Sequence, residues 1–213
     1  MRRNIATPER YMLFFGEQYP LNFGFKLRLD AAFDEERAVQ TLKSIARRHA
    51  LLFSHQEYTI GKKKDLVFDE EDVPLIIEKA PADTSWEQHL LERMVFRFEP
   101  FKGPLFRLDW RTTGKECELF FVFHHGAADG IGTVYFIHDF LTHYAGMNVD
   151  VPDTALMPSL YEAMREDIYH ELLKRPEPAW KKESPPPPKP YTVAEYSYPD
   201  YYLRFFEMSE GGL

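Results

Sequence analysis

Apolar and polar residues alternate from Asn22 to Asp30 (NFGFKLRLD), the period of a strand with one covered face. The period then changes. Along FDEERAVQTLKSIARRHALL, Val39, Leu42, Ile45 and Ala46 fall on one helical stripe, with Asp34 at the N-cap position, acids in the first turn and arginines in the last. YTIGKKKDLVFDE (58–70) reads as a hairpin turning at GKKK, and VPLIIEKA (73–80) as another short strand. DTSWEQHLLERMVFRF (83–98) is amphipathic at helical spacing, opened by Asp83 or Thr84 with Glu87 placed for a capping box. Two apolar runs, 104–111 and 116–124, flank TTGKE and predict an antiparallel hairpin. A further helix, GTVYFIHDFLTHYAG, stops at Gly146, where a glycine suits a C-cap.

The last quarter changes character. LMPSLYEAMREDIYHELLKR (156–175) is helical in pattern, but 176–190 holds seven of the chain's 16 prolines and predicts a stiff extended connector. Residues 191–213 then suggest a terminal strand over 201–208. No internal repeat is visible. The 213 residues are 44% hydrophobic and 15% aromatic, enough for a substantial core. A net charge of −8 with no dense basic stripe argues against a nucleic-acid partner. A single cysteine, Cys117, excludes an intramolecular disulfide and any multi-cysteine metal site, which fits a reducing, cytoplasmic setting. The first residues have no signal-peptide core, and no run approaches the roughly 18 apolar residues of a membrane span.

Candidate chemistry concentrates at 121–132, FVFHHGAADGIG. Phe120 to Phe123 are apolar on both faces, as in a strand at the centre of a sheet or covered on both sides. Neighbouring side chains on a strand point opposite ways, so His124 and His125 cannot both enter one cleft. One is left for chemistry while the other packs. Gly126, Ala127 and Ala128 allow a tight turn, and Asp129 before Gly130 opens the next helix, where the N-cap is the ordinary role of an aspartate. A metal site on His124, His125 and Asp129 is weaker, because the histidines diverge and no HExxH-type pair accompanies them. His138 and His143 read as packing or surface residues, Ser54 and His55 face apart, and Cys117 in KECE is in poor company for a thiolate.

HHGAADG matches HHxxxDG in full and resembles the signature of the CoA-dependent acyltransferase superfamily, which holds chloramphenicol acetyltransferases, condensation domains of nonribosomal peptide synthetases and alcohol acyltransferases. FEPFKGPLFRLDW is similar to the segment leading into that family's hairpin, and ARRHALLFSH to its RHxxLRT segment. TPERYMLFFGEQYPLNF sits where the family begins its first strand. The resemblance implies an α/β two-layer sandwich, with a mixed, largely antiparallel sheet covered by helices. It also implies transfer of an acyl group from a CoA or phosphopantetheinyl carrier-protein thioester to an alcohol or amine, with no tightly bound cofactor. His125 is then the general base or positioning residue, His124 its support and Asp129 a structural residue paired with an arginine.

Two departures bear on that reading. The arginine of RHxxLRT falls on Phe53, so Asp129 has another partner, Arg48 or Arg107, or acts as a cap or stays solvated, with Gly130 beside it. The chain also has only about half the family's length. The resemblance therefore implies an N-terminal half (1–175), the connector and a terminal strand leading toward a missing second half, with weak activity alone. Pairing of two copies as a homodimer follows only by analogy with chloramphenicol acetyltransferases. The alternative from another class is a non-catalytic module that docks a carrier protein or other partner. ERYMLFF and the aromatic tail YSYPDYYLRFF read as core or interface, with a hydrophobic acyl-binding surface as the lesser alternative.

Overall fold

A computed structural model describes residues 1–5, 7–58 and 64–149, all within the compact unit Met1–Glu166. The helix, connector and strand expected beyond residue 150, and most of the GKKK turn, lie outside the described residues. The elements run β1 (Arg2–Asn4), α1 (Thr7–Gln18), β2 (Asn22–Leu29), α2 (Glu35–Ile45), β3 (His55–Tyr58), β4 (Lys64–Val67), β5 (Ile77–Lys79), α3 (Trp86–Met94), β6 (Phe106–Thr113), β7 (Glu116–His124) and α4 (Gly130–Tyr144).

The larger sheet has the order β2-β7-β6-β5, antiparallel except for the parallel β5–β6 pair, and a smaller antiparallel sheet has the order β1-β4-β3. This is the mixed, largely antiparallel α/β architecture that the sequence implies. β7 is the axis of the larger sheet. Its residues Leu119 to Phe123 are fully buried because β2 and β6 flank it and side chains cover both faces. On one face Phe121 and Phe123 meet Phe106, Phe136 and Phe140, with Phe53 packing on Phe106 and Phe136, an aromatic core under α4. On the other face Phe120 meets His89 of α3. Burial of this many rings is the main favourable term holding the unit together.

Local chemistry sets the boundaries. Asp34 caps α2 as expected, its Oδ1 accepting the N–H of Arg37 at 3.0 Å. The β6–β7 hairpin turns through Gly114 at φ +66°, a left-handed backbone that glycine adopts without strain. The cap of α3 is Ser85, not Asp83 or Thr84: its Oγ accepts the N–H of Gln88 at 3.1 Å, so the residue at the third helical position is Gln88 instead of Glu87. α3 also ends at Met94, short of the expected 98. The Asn22 side chain donates to the carbonyls of Met94 (3.0 Å) and Phe96 (2.6 Å), which satisfies the helix end and fixes it to the first residue of β2.

Within TPERYMLFFGEQYPLNF the residues 7–18 form a helix, and only its end, from Asn22, enters a strand. It opens on Thr7-Pro8, where a first-turn proline lacks only a donor that the helix would leave unused. Leu13 faces inward while Tyr11, Met12 and Phe14 are exposed, so the apolar run YMLFF wraps around a helix with much of its hydrophobic surface outside. That arrangement hides the period from the sequence.

Candidate active site

β7 pairs with β2 up to His124, which lies opposite Asn22, and the N–H of His125 still donates to the Leu21 carbonyl at 2.7 Å. The strand geometry therefore persists through both histidines, and their rings diverge. His124 is 2% exposed and lies against α1, with Phe98 edge-on at 6.1 Å; His125 is exposed, with its ring tilted against Phe23 at 5.1 Å.

Opposite tautomers follow from their partners. His124 Nδ1 accepts the Gly126 N–H at 2.9 Å, so its proton sits on Nε2, which is buried with no hydrogen-bond partner among the described residues. His125 Nδ1 lies 3.2 Å from the Ala128 carbonyl oxygen, which can only accept; the proton is on Nδ1 and the Nε2 lone pair is open. The Ala127 N–H closes the same turn on the His124 carbonyl at 2.9 Å. One ring holds the turn, and the other is presented by it.

Burial, with a smaller contribution from the nearby His125 charge, lowers the His124 pKa to about 4. Protonation would also set a second donor against the Gly126 N–H. The unfolded chain therefore binds a proton that the folded chain refuses between about pH 6.5 and 4, and stability is lost as pH falls through that window. The loss by pH 4 is about 3 kcal/mol from this residue. Urea unfolding of the wild type and of His124→Asn, whose amide oxygen can replace the Nδ1 acceptor, checks it: the wild type loses more stability between pH 7 and pH 4 by that amount.

Asp129 is exposed and caps α4. Its Oδ1 accepts the Gly132 N–H at 2.7 Å, and its carbonyl accepts the Thr133 N–H at 3.0 Å. No ion pair reaches it among the described residues, so the two arginines considered as partners are reassigned. Arg48 Nε donates to Asp139 at 2.6 Å, and Arg107 binds Asp109 and Glu78. Phe53, at the position where the family's arginine would fall, is fully buried in the aromatic core beside Phe136. Gly130 is not required by space: a Cβ there meets nothing within 4 Å. Replacing Asp129 with alanine removes a cap and lowers stability by about 1 kcal/mol, read as a fall in Tm of a few degrees.

Two features escaped the sequence. Asp139, on the inner face of α4 between Ile137 and Phe140, accepts from both Arg48 and His49, the latter at 2.8 Å; an acid set in an apolar helical stripe was its signal. Gly16 on α1 touches His124, and its only signal was a glycine inside an apolar helical run. Among the described residues no three His, Cys, Asp or Glu side chains converge as metal ligands, and no helix is long and apolar enough to cross a membrane.

No family model matches the chain. The chain is 25% identical over 179 residues to tyrocidine synthase 3 of Brevibacillus parabrevis, a match covering 82% of this chain and 3% of that one. It superposes on a four-domain nonribosomal peptide synthetase bound to AMP and glycine, with TM-score 0.61 and 14% identity over 81% of this chain and 14% of the other. On the epimerization domain from the third module of tyrocidine synthetase B the TM-score is 0.60 at 19% identity, over 81% and 43% of the two chains. On the starter condensation domain of rhizomide synthetase it is 0.59 at 10% identity, over 81% and 46%. The chain spans less than half the length of each of these proteins. The fold carrying HHGAADG at the end of its central strand is thus the one seen in nonribosomal peptide synthetase condensation and epimerization domains.

Proposed function

We propose that this chain forms the base-bearing wall of a condensation-type acyltransferase site, with His125 as general base. The observation that carries the reading is the pair of ring contacts at the end of β7: a buried His124 whose Nδ1 receives the Gly126 N–H, and an exposed His125 whose Nδ1 faces the Ala128 carbonyl and so leaves the lone pair on Nε2. An alcohol or amine acceptor attacks the carbonyl carbon of an acyl thioester as Nε2 takes the acceptor's proton. The tetrahedral intermediate then collapses, the C–S bond breaks, and the imidazolium returns the proton to the departing thiolate. No acyl-enzyme forms, and the enzyme ends as it began.

The donor is an acyl group on CoA or on the phosphopantetheine of a carrier protein; the likeness to tyrocidine synthase 3 and to synthetase condensation domains favours the carrier. Asp129 and the turn 124–128 hold the base, while oxyanion stabilisation and acceptor orientation need groups beyond those described. The test is acylation of amine and alcohol acceptors from carrier-bound and CoA thioesters by the protein and by its His125→Ala variant. Equal rates for the two proteins remove the catalytic reading. Tight binding of acyl-carrier protein with no transfer by the wild type replaces it with a docking module.

A further inference from the structure

The ring of His124 lies between two backbones that could not both approach it if they carried side chains. A Cβ built on Gly16 of α1 would fall 2.0 Å from Nε2 and 2.8 Å from Cε1 of that ring. On the other side, a Cβ on Gly126 would fall 3.0 Å from Nδ1 and 3.1 Å from Cε1, with Leu13 Cγ at 3.2 Å. The first separation is impossible for a real methyl group, and the ring, 2% exposed with Phe98 edge-on at 6.1 Å, has little freedom to withdraw. The same closeness accounts for Nε2, which lies against Gly16 of α1 and has no hydrogen-bond partner among the described residues. The hydrogen bond from Gly126 to Nδ1 is then the one polar contact that orients the ring among the described residues, and the ring in turn holds the turn. α1 is itself fastened to β1 by the two-pronged Arg3–Glu9 pair, at 2.8 and 2.5 Å.

We propose that Gly16 is a positioning residue for His125: the notch it leaves in α1 seats His124, which fixes residues 126–128 and so sets the imidazole that the turn presents. The chain of contacts is short. Gly16 admits the His124 ring, that ring binds Gly126, and two residues on the Ala128 carbonyl holds the Nδ1 proton of His125. The catalytic use of His125 rests on the function proposed above, but the positioning does not, because it is a property of the unliganded protein.

The test reads the His125 tautomer by nitrogen NMR of the imidazole, with acyl transfer as a second measurement. The wild type holds the proton on Nδ1. Gly16→Ala, still folded by circular dichroism, loses that preference and takes the mixed tautomers of a free imidazole; its kcat for thioester-dependent acylation falls on the order of 10²-fold with KM unchanged. Adding His124→Asn to Gly16→Ala restores the Nδ1 proton, because asparagine keeps the acceptor for Gly126 but lacks the ring edge that meets the new methyl group. A His125 spectrum unaltered by Gly16→Ala overturns the proposal. If Gly16→Ala alone does not fold, His124→Leu in the Gly16 background is compared with the double variant: loss of the tautomer in the first and its retention in the second supports the proposal, and identical spectra overturn it. An altered spectrum in a protein that transfers no acyl group leaves the positioning standing and removes the catalytic role.

Discussion

Replacing His125 with alanine lowers the rate of acyl transfer from a thioester by roughly 10²–10⁴-fold, the usual contribution of a positioned general base. The fold is kept, because His125 is exposed and its backbone bond to Leu21 survives in alanine, with only the ring's contacts to the Ala128 carbonyl and Phe23 lost. Unfolding midpoints of the two proteins therefore coincide while their turnover does not. His125→Gln refines the result. A glutamine can fill the volume and offer a carbonyl acceptor, yet it cannot take up a proton, so a rate close to the alanine value identifies proton transfer as the lost step. A rate close to wild type would mean that residue 125 only orients the acceptor.

Asp109→Ala destabilises the protein by about 3–5 kcal/mol, a large share of the stability of an ordinary domain. Asp109 is wholly buried on β6, where its Oδ1 accepts from Arg107 Nε and Nη2 at 2.9 and 2.7 Å, and its Oδ2 from His89 at 2.9 Å and Arg93 at 2.8 Å. Burial pushes its carboxyl pKa up, but the His89 hydrogen bond and the Arg107 and Arg93 charges outweigh that and hold it below the usual carboxylate range. Removing the carboxylate leaves Arg107, 1% exposed, with Glu78 at 2.7 Å and the Phe96 ring at 4.6 Å as its remaining partners. The double replacement Arg107→Met with Asp109→Leu costs less than Asp109→Ala, because it removes the charge together with its counter-ion. Denaturant titrations of the three proteins decide it; a loss below 1 kcal/mol for Asp109→Ala would show that Arg107 reaches water.

The site was legible where its chemistry is local. Strand alternation alone separates His124 from His125, and the small residues after them mark the turn; neither inference needs a tertiary contact. The hairpin at Gly114 and the cap at Asp34 were legible for the same reason. What failed depended on partners distant in sequence. FRLDW places Arg107 and Asp109 on one face of a strand, the pattern of a surface facing water, and only the packing of α3 over that face makes them a buried pair. The helical period of YMLFF is blurred by aromatic residues left outside, so the run reads only as core or interface. The cap of α3 falls one or two residues beyond the expected Asp83 or Thr84 because Asp83, Thr84 and Ser85 are all good caps.

Phe53 carries a consequence of a different kind. Where the family pattern has a guanidinium, this chain places a benzene ring against Phe106 and Phe136, and the carboxylate of Asp129 turns to the backbone of its own helix. The hold of Phe53 on α4 is consequently one of dispersion and water exclusion. Such a hold is indifferent to ionic strength and slackens in the cold, unlike the Arg48–Asp139 pair that joins the same two segments, so cold and salt loosen this corner through different contacts.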